Sequence, residues 1–261
     1  MKSKDMAQIK LAAIVLAAGK GTRLAGGRPS AKPKVLYEIG GKPIITYTID
    51  LLKAIGLGEI VIVVGHKAEE VKRVLGGDYK YALQKQRLGT GHAALVGLGL
   101  VSERPNNILI LNGDDSAFYK PESIQKSINK HVGVGNTLTF VTVEVKDPTG
   151  LGRIIRNKDG LVVDIVEEKV ANKLQKKIKE INAGCYIVKR GWLQESLKQL
   201  KKSPVGEYYL VDLIKKAVFE GRKVQAYKLN DPDEWFGVNT PEELKRADLL
   251  VKDRLDAEKK R

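Results

Sequence analysis

The apolar positions of the first hundred residues fall into two alternating rhythms. Residues 11–17 (LAAIVLA) form an unbroken apolar run that opens into a loop with glycines at 19, 21, 26 and 27. Pro43 then begins a pattern in which Ile44, Tyr47, Ile49, Leu51, Leu52 and Ile55 make one broad helical face, closed by Gly56 and Gly58. Residues 59–65 (EIVIVVG) are continuous and β-branched, as strands buried on both faces of a parallel sheet are. Val71, Val74 and Leu75 mark the next helix, residues 79–84 the next strand, and residues 90–101 a third helix. A further apolar run, residues 107–111, ends in Asn112-Gly113-Asp114-Asp115. Strands alternating with helices at this spacing predict a doubly wound α/β sheet, whose ligands lie outside the carboxyl ends of the strands. The glycine-rich loop, Gln84 and Asp114 all fall at such ends and are expected in one crevice.

After a helix expected at 121–132 the pattern becomes β-rich. Residues 137–145 alternate, and residues 154–155 and 161–166 flank Asn157-Lys158-Asp159-Gly160, where Asp-Gly between apolar runs signals a hairpin. Residues 178–188 read as another strand, and helices are expected at 191–200, 208–219 and 241–255. No low-complexity linker and no internal repeat separates these parts. The expectation is one domain over 1–261: a nucleotide-binding part at about 9–135, a β-rich acceptor-side lobe at about 136–240, and a C-terminal helix at about 241–261.

Composition narrows the class. The chain has 261 residues, 43% hydrophobic and 30% charged, enough for one sizeable core. Cys185 is the only cysteine and lies in an apolar strand, so no intramolecular disulfide forms, the thiol reads as core rather than nucleophile, and a reducing cytoplasm is expected. Residues 1–10 are basic and precede a short apolar run, which imitates a secretory signal. The run leads directly into GKGTR rather than a polar cleavage region, and Asp5 interrupts the basic segment. No stretch approaches the ~20 apolar residues of a membrane span. The formal charge of +15 raises nucleic acid as a partner. Its lysines, however, are interleaved with glutamates at 67–73 and 245–261, without aromatic stacking residues, so a solvated surface is expected and no nucleic-acid partner. A positive field also suits nucleoside triphosphates.

The chemistry centres on the first loop. Small residues let the backbone approach a ligand, and Arg23 and Lys34 add charge where amides can meet anionic oxygens, which is the design of a phosphate cradle. It is not a Walker loop, because Ile14 stands five residues before Gly19 and Gly21 follows Lys20. It is not a dinucleotide fingerprint either, because Leu24 occupies the place of the third glycine. Asp114, past the end of an apolar strand, suits a magnesium ion shared with phosphates, or is simply part of a turn. Gln84 offers paired donor and acceptor atoms for a nucleobase edge, with Gly89 allowing close approach; alternatively Thr90 caps a helix between turn glycines. His92 reads as structural.

In order along the chain, the segments are LAAGKGTR at 16–23 with PKVL at 33–36, Gln84 with LGTGHA at 88–93, DPTGLGRI at 147–154, IVEEK at 165–169, EINAG at 180–184, GEYYLVD at 206–212 and GVN at 237–239. Together they resemble the sugar-phosphate nucleotidyltransferase family, and within it the uridyltransferase (pyrophosphorylase) domain of the bifunctional N-acetylglucosamine-1-phosphate uridyltransferases, over about residues 10–250. The resemblance implies a GT-A-like, Rossmann-like mixed sheet. It also implies transfer of UMP from UTP to N-acetylglucosamine 1-phosphate or a related sugar 1-phosphate. It implies that Arg23 and Lys34 act on the triphosphate, that Leu16, Ala17, Ala18, Gly19, Gln84, Gly89 and Thr90 hold the nucleotide, and that Gly152, Glu167 and Asn182 hold the acceptor. Asp114 and Asn239 match the pair that binds Mg2+.

The sequence also departs from that family. Asn112 stands where Tyr is frequent, Ser116-Ala117 replaces Pro-Leu, Leu151 replaces a frequent Tyr, and Val211 a common Thr. These departures gather on the acceptor side and leave open which sugar is used, with thymidylyl or uridylyl transfer to glucose 1-phosphate, or nucleotide-sugar binding without turnover, as the alternatives. No hexapeptide repeat for a left-handed β-helix is present, so acetyl transfer and the trimer contact of that helix are not expected, and a separate acetyltransferase would supply the former. Between Arg23 and Pro33 the loop, with Gly26-Gly27-Arg28-Pro29-Ser30, is longer and more basic than the family pattern, as a mobile lid would be.

Overall fold

The structure, a computed structural model, describes residues 10–27 and 30–259. Arg28 and Pro29 of the long loop, the basic segment 1–9 and Lys260-Arg261 lie outside the described residues.

In chain order the elements are β1 (Leu11–Ala17), the short hairpin β2 (Glu38–Ile39) and β3 (Lys42–Pro43), α1 (Ile44–Ala54), β4 (Ile60–Val64), α2 (Ala68–Leu75), β5 (Lys80–Leu83), α3 (Thr90–Leu98), β6 (Asn107–Asn112), α4 (Pro121–Val134), β7 (Leu138–Glu144), β8 (Arg153–Arg156), β9 (Val162–Val166), β10 (Glu180–Lys189), α5 (Arg190–Lys198), α6 (Asp212–Phe219), β11 (Val224–Lys228) and α7 (Pro241–Lys259). The main sheet runs β11-β7-β10-β6-β1-β4-β5. Along this path only β10 runs against its neighbours, β6 and β7; the other adjacent pairs are parallel. The hairpin β8–β9 hangs from β10 through the Ile181–Arg153 pair, which is the β-rich lobe the sequence predicts.

Strand β1 shows why the sheet is covered on both sides. Its alternate residues divide between two cores, Ala12, Ile14 and Leu16 toward one and Ala13, Val15 and Ala17 toward the other. The first core packs Ala94 and Leu98 of α3, Leu193 of α5 and Ile214 of α6 against the sheet. The second packs Ile45, Ile49 and Leu52 of α1, Val71 of α2 and Ile124 and Ile128 of α4. A third, smaller cluster gathers Leu24, Ile39, Ile44, Phe118 and Val238 under Ala247 and Val251 of α7. Cys185 is fully buried in β10, and burial pushes its thiol far above the usual range, as a core thiol requires. No helix among the described residues is long and apolar enough to cross a membrane.

Three expectations change. The helix expected from Tyr208 begins at Asp212, because the backbone at Tyr208 is extended across the 88–91 loop: its N–H donates to the Leu88 carbonyl and its carbonyl accepts from the Gly91 N–H, both at 2.8 Å. Edge strand β11 and the hairpin β2–β3 carry no strand in the sequence reading; β11, with sequence VQAYK, is only half-buried and mixes polar with apolar positions. Thr90 does not cap α3. Its hydroxyl accepts from the Leu210 N–H at 2.9 Å, and so ties the start of α3 to the segment before α6.

Candidate active site

The carboxyl ends of β1, β5 and β6 open onto a cleft of about 630 Å3. Leu16, Ala18, Gly19, Arg23, Lys34, Gln84, Gly89, Thr90, Asp114, Asn182 and Asn239 all line it. Three residues expected in the site do not. Ala17 is buried in the α1-side core, so it can meet a ligand only through its backbone. Gly152 and Glu167 stand together at the β8–β9 hairpin, outside the lining, with Glu167 Oε1 3.2 Å from where a Gly152 Cβ would be. Their neighbours Gly150 and Leu151 reach the cleft instead.

Lys34 is the hub. Its ammonium pairs with the Asp114 carboxylate and donates to Asn239 Oδ1 at 2.9 Å, while Arg23 Nη2 donates to the same Asn239 oxygen at 2.9 Å. Two oxygen donors from distant parts of the chain thus converge on one cationic nitrogen, with a second cation beside it. Lys34 is held in place from behind, because the loop after β1 folds back on it: the Lys34 N–H points to the Gly19 carbonyl at 3.4 Å, and Gly21 packs against the Lys34 backbone. Asp114 follows Gly113, whose N–H donates to the Leu16 carbonyl at 2.9 Å and so joins the end of β6 to that of β1.

On one side of this hub the 84–91 loop is built tightly. Gln84, nearly buried, donates through Nε2 to the Gly89 carbonyl at 3.1 Å and pairs with His92 Nδ1 at 3.0 Å. Gly89 has φ +92°, and a Cβ there would lie 2.5 Å from the Tyr208 carbonyl oxygen, so the position requires glycine for both backbone and space. His92 is therefore part of the loop's support, as its structural reading holds.

On the other side stands a more polar wall. Asn112 Nδ2 donates to Asp115 Oδ2 at 3.0 Å, and the Gly184 N–H donates to Asn182 Oδ1 at 3.3 Å. Asn182 Nδ2 donates in turn to the Tyr186 hydroxyl at 2.5 Å. Burial, reinforced by the neighbouring Asp114 charge, pushes the Asp115 carboxyl up to about 8. Next to this wall Arg153, almost fully buried, pairs with Glu168 and donates to the Leu151 carbonyl. The departures at Asn112 and Leu151 both line the cleft; Val211 and Ser116 do not. Ser116 instead donates to the Asn112 carbonyl at 2.6 Å and meets Thr48 Oγ1 at 2.7 Å, which fixes the turn after β6.

Lining residues given no role by the sequence reading include Arg87, Asp115, Tyr186, Glu207 and Trp235. Glu207 sits inside the GEYYLVD segment and Trp235 two residues before GVN, so adjacency to a motif was the available signal. Nothing local distinguished either from an ordinary surface or core residue.

Comparison with known proteins agrees with this architecture. The family model described as Nucleotidyl transferase matches residues 12–254. The chain is 40% identical over 243 residues to the bifunctional protein GlmU of Exiguobacterium sibiricum, covering 93% of this chain and 53% of that one. It is 39% identical over 246 residues to the bifunctional protein GlmU of Acetivibrio thermocellus, covering 94% and 52%. The chain therefore spans about half the length of the curated relatives it matches. A solved structure from Bacillus anthracis, assigned as a glucose-1-phosphate thymidylyltransferase in complex with sucrose, superposes with a TM-score of 0.79 at 23% identity, over 93% of this chain and 96% of that one, and shares the fold. With a family match over nearly its whole length, the chain belongs to the nucleotidyl transferase family.

Proposed function

We propose that the cleft transfers a uridylyl group from UTP to N-acetylglucosamine 1-phosphate or a related sugar 1-phosphate, giving a UDP-sugar and pyrophosphate. The observation that carries this reading is the convergence of Arg23, Lys34, Asp114 and Asn239 between the 84–91 loop and the polar wall. A triphosphate needs cations and anchored oxygens at its centre, a base pocket on one side and an acceptor on the other, and the cleft has that layout. The substrates follow from the ordered motifs and from the relatives at about 40% identity.

In this reading the acceptor's phosphate oxygen attacks the α-phosphorus, and the bond from that phosphorus to the β-phosphate's bridging oxygen breaks with release of pyrophosphate. That oxygen is already anionic at neutral pH, so no side-chain base is needed, and alignment and charge neutralisation carry the catalysis. Arg23 and Lys34 neutralise the phosphates. Leu16, Ala18, Gly19, Gln84, Gly89 and Thr90, with the Ala17 backbone, hold the nucleotide, while Gly152, Glu167 and Asn182 serve the acceptor from the wall and the lobe behind it. Asp114 and Asn239 suit Mg2+, since a carboxylate and an amide oxygen already meet at one cationic atom, and hard divalent ions take few such ligands plus substrate oxygens. Bound there, Mg2+ would withdraw charge from the phosphates.

A panel of nucleoside triphosphates and sugar 1-phosphates, scored by pyrophosphate release with and without Mg2+, tests base, acceptor and metal together. Turnover greatest with UTP and an N-acetylated sugar phosphate supports the reading. Preference for dTTP with glucose 1-phosphate moves it to the thymidylyl alternative, and Mg2+-dependent UTP binding with no product anywhere in the panel overturns it.

A further inference from the structure

Two residues that line the cleft, Asp115 on the polar wall and Trp235, each carry a buried side-chain atom without a hydrogen-bond partner among the described residues. Asp115 lines the cleft, yet its Oδ1 is buried and has no hydrogen-bond partner among the described residues. Its other oxygen, Oδ2, is held by Asn112. A buried carboxyl oxygen left unpaired is costly, and such an atom in a ligand cleft marks where a ligand would complete the bonding. The nearby cation, Lys34, is directed to Asp114 and Asn239 instead.

The backbone around Asp115 is shaped to present it. Strand β10 breaks its register with β7 between Asn182 and Tyr186, and this irregularity brings Gly184 opposite the end of β6. A Cβ at Gly184 would lie 2.5 Å from Asn112 Nδ2 and 3.0 Å from Asp115 Oδ2, so glycine is what lets the Asn112–Asp115 pair lie against β10. The Gly184 N–H donates to Asn182, so Asp115 is continuous with the residue expected to hold the acceptor. The Ser116 contacts to Asn112 and Thr48 keep the turn rigid from below.

We propose that Asp115 is a specificity-determining residue, completed by a ring hydroxyl of the acceptor sugar phosphate; this rests on the nucleotidyl-transfer reading above. A hydroxyl suits the site because it both donates and accepts. It can pair with the carboxyl oxygen whether or not that group carries a proton, whereas an acyl carbonyl cannot donate. Asn112, held to Asp115, is the positioning residue of the pair.

The test compares Asp115→Ala and Asp115→Asn with the parent protein. The assays use the sugar 1-phosphate that the parent turns over and its series of single-deoxy analogues. Asp115→Ala should raise the acceptor KM about 5- to 100-fold, as leaving one buried polar group without its partner does, while changing the UTP KM less than about twofold. One deoxy analogue should bind as poorly to the parent as the full acceptor binds to Asp115→Ala, and should lose nothing further in that variant. Asp115→Asn, which keeps the shape and a carbonyl, should retain most of the acceptor affinity and carries the analogue comparison if Asp115→Ala does not fold. Three results overturn the proposal: an acceptor KM that stays within twofold, an equal rise in the UTP KM, or a shifted Mg2+ requirement, which would place Asp115 with the metal instead. Absence of turnover by the parent on every sugar phosphate counts against the proposed function, and is thereby distinguished from failure of this inference.

Discussion

Lys34 and Asn239 stand 205 residues apart in the chain and are joined by a hydrogen bond of 2.9 Å from Nζ to Oδ1. The bond closes a circuit, because Asn239 also accepts from Arg23 and Lys34 also holds Asp114. The glycine-rich loop, the end of β6 and the segment before α7 therefore meet at two side chains, and changes at any member should be felt by the others.

Replacement of Arg23, Lys34 or Asp114 by Ala should lower kcat by about two orders of magnitude or more, as loss of one strong electrostatic contact in an active site does. Asn239→Ala should weaken nucleotide binding as well, because it releases two cations at once. Steady-state pyrophosphate release and calorimetric UTP binding measure the two effects separately. Near-normal turnover in both Arg23→Ala and Asp114→Ala would remove the assignment of the cleft.

Gly89→Ala places a Cβ against the Tyr208 carbonyl, at a φ that side chains rarely adopt. Backbone strain of this kind costs about 1–3 kcal/mol, and a clash with backbone rather than a side-chain tip adds to it. The substitution should lower Tm and reduce the stabilisation UTP gives, since the loop it distorts carries Gln84. Thermal melts with and without UTP show both. An unchanged response to UTP would detach this loop from nucleotide binding.

The contrast between these two sites shows what the sequence made legible. Strands β1, β4 and β6 are continuous apolar runs, and the sequence therefore places the residues at their ends in one crevice. The Asp114 position follows from that alone, whereas Gln84 ends β5, a short strand of mixed burial, and its place rests on the alternation of strands with helices around it. The Tyr208 segment reads as helix because its apolar residues have helical spacing, but long-range backbone bonds to the 88–91 loop override local preference. Strand β11 is stabilised by its pairing with β7, which a five-residue mixed pattern does not announce. The nearly complete burial of Arg153 is equally unannounced, since beside the local Leu151 carbonyl it depends on Glu168 arriving from beyond β9.

His131 supplies a pH dependence away from the cleft. It is buried at the end of α4 between Thr139 Oγ1 at 2.9 Å and Asn107 Oδ1 at 3.2 Å. Burial, with a smaller contribution from Lys189, pushes its pKa down to about 4. The unfolded chain takes up this proton below about pH 6.5, while the folded chain resists it until about 4. Stability from His131 is thus present above pH 6.5 and is lost as pH falls through that window, by an amount on the order of 3 kcal/mol. Denaturant unfolding between pH 7 and pH 4 should show the decline, and His131→Gln should flatten it. A slope unchanged by the substitution would assign it to other groups.

Helix α7 should control the glycine-rich loop without touching substrate. Its Ala247 and Val251 pack on Leu24 of the loop, on Phe118 beyond Asp115 and on Val238 beside Asn239, so one apolar cluster touches all three segments that form the Lys34 circuit. Arg254 lies over the Phe118 ring at 5.0 Å and Arg246 over Phe236 at 5.3 Å, which adds cation–π contacts to the same docking. The helix seats at Gly40, whose N–H donates to Asp248 Oδ1 at 2.7 Å. A Cβ at Gly40 would overlap Val251 Cγ1 and lie 2.9 Å from Tyr47 Oη, at a φ of +58° that side chains rarely adopt, so Gly40→Ala must shift α7 or the hairpin beneath it. Overpacking of this kind costs about 1–3 kcal/mol. If the cluster holds the loop, the UTP KM should rise about tenfold, equivalent to roughly 1.4 kcal/mol, with the acceptor KM little changed. Val251→Ala in the Gly40→Ala background removes the methyl on the α7 side and should restore the UTP KM in part and Tm less, because the left-handed φ and the Tyr47 contact remain and the truncation leaves its own cavity. Loss of Tm with an unaltered UTP KM would show that α7 supports the fold and leaves the glycine-rich loop to the polar contacts of Arg23 and Lys34.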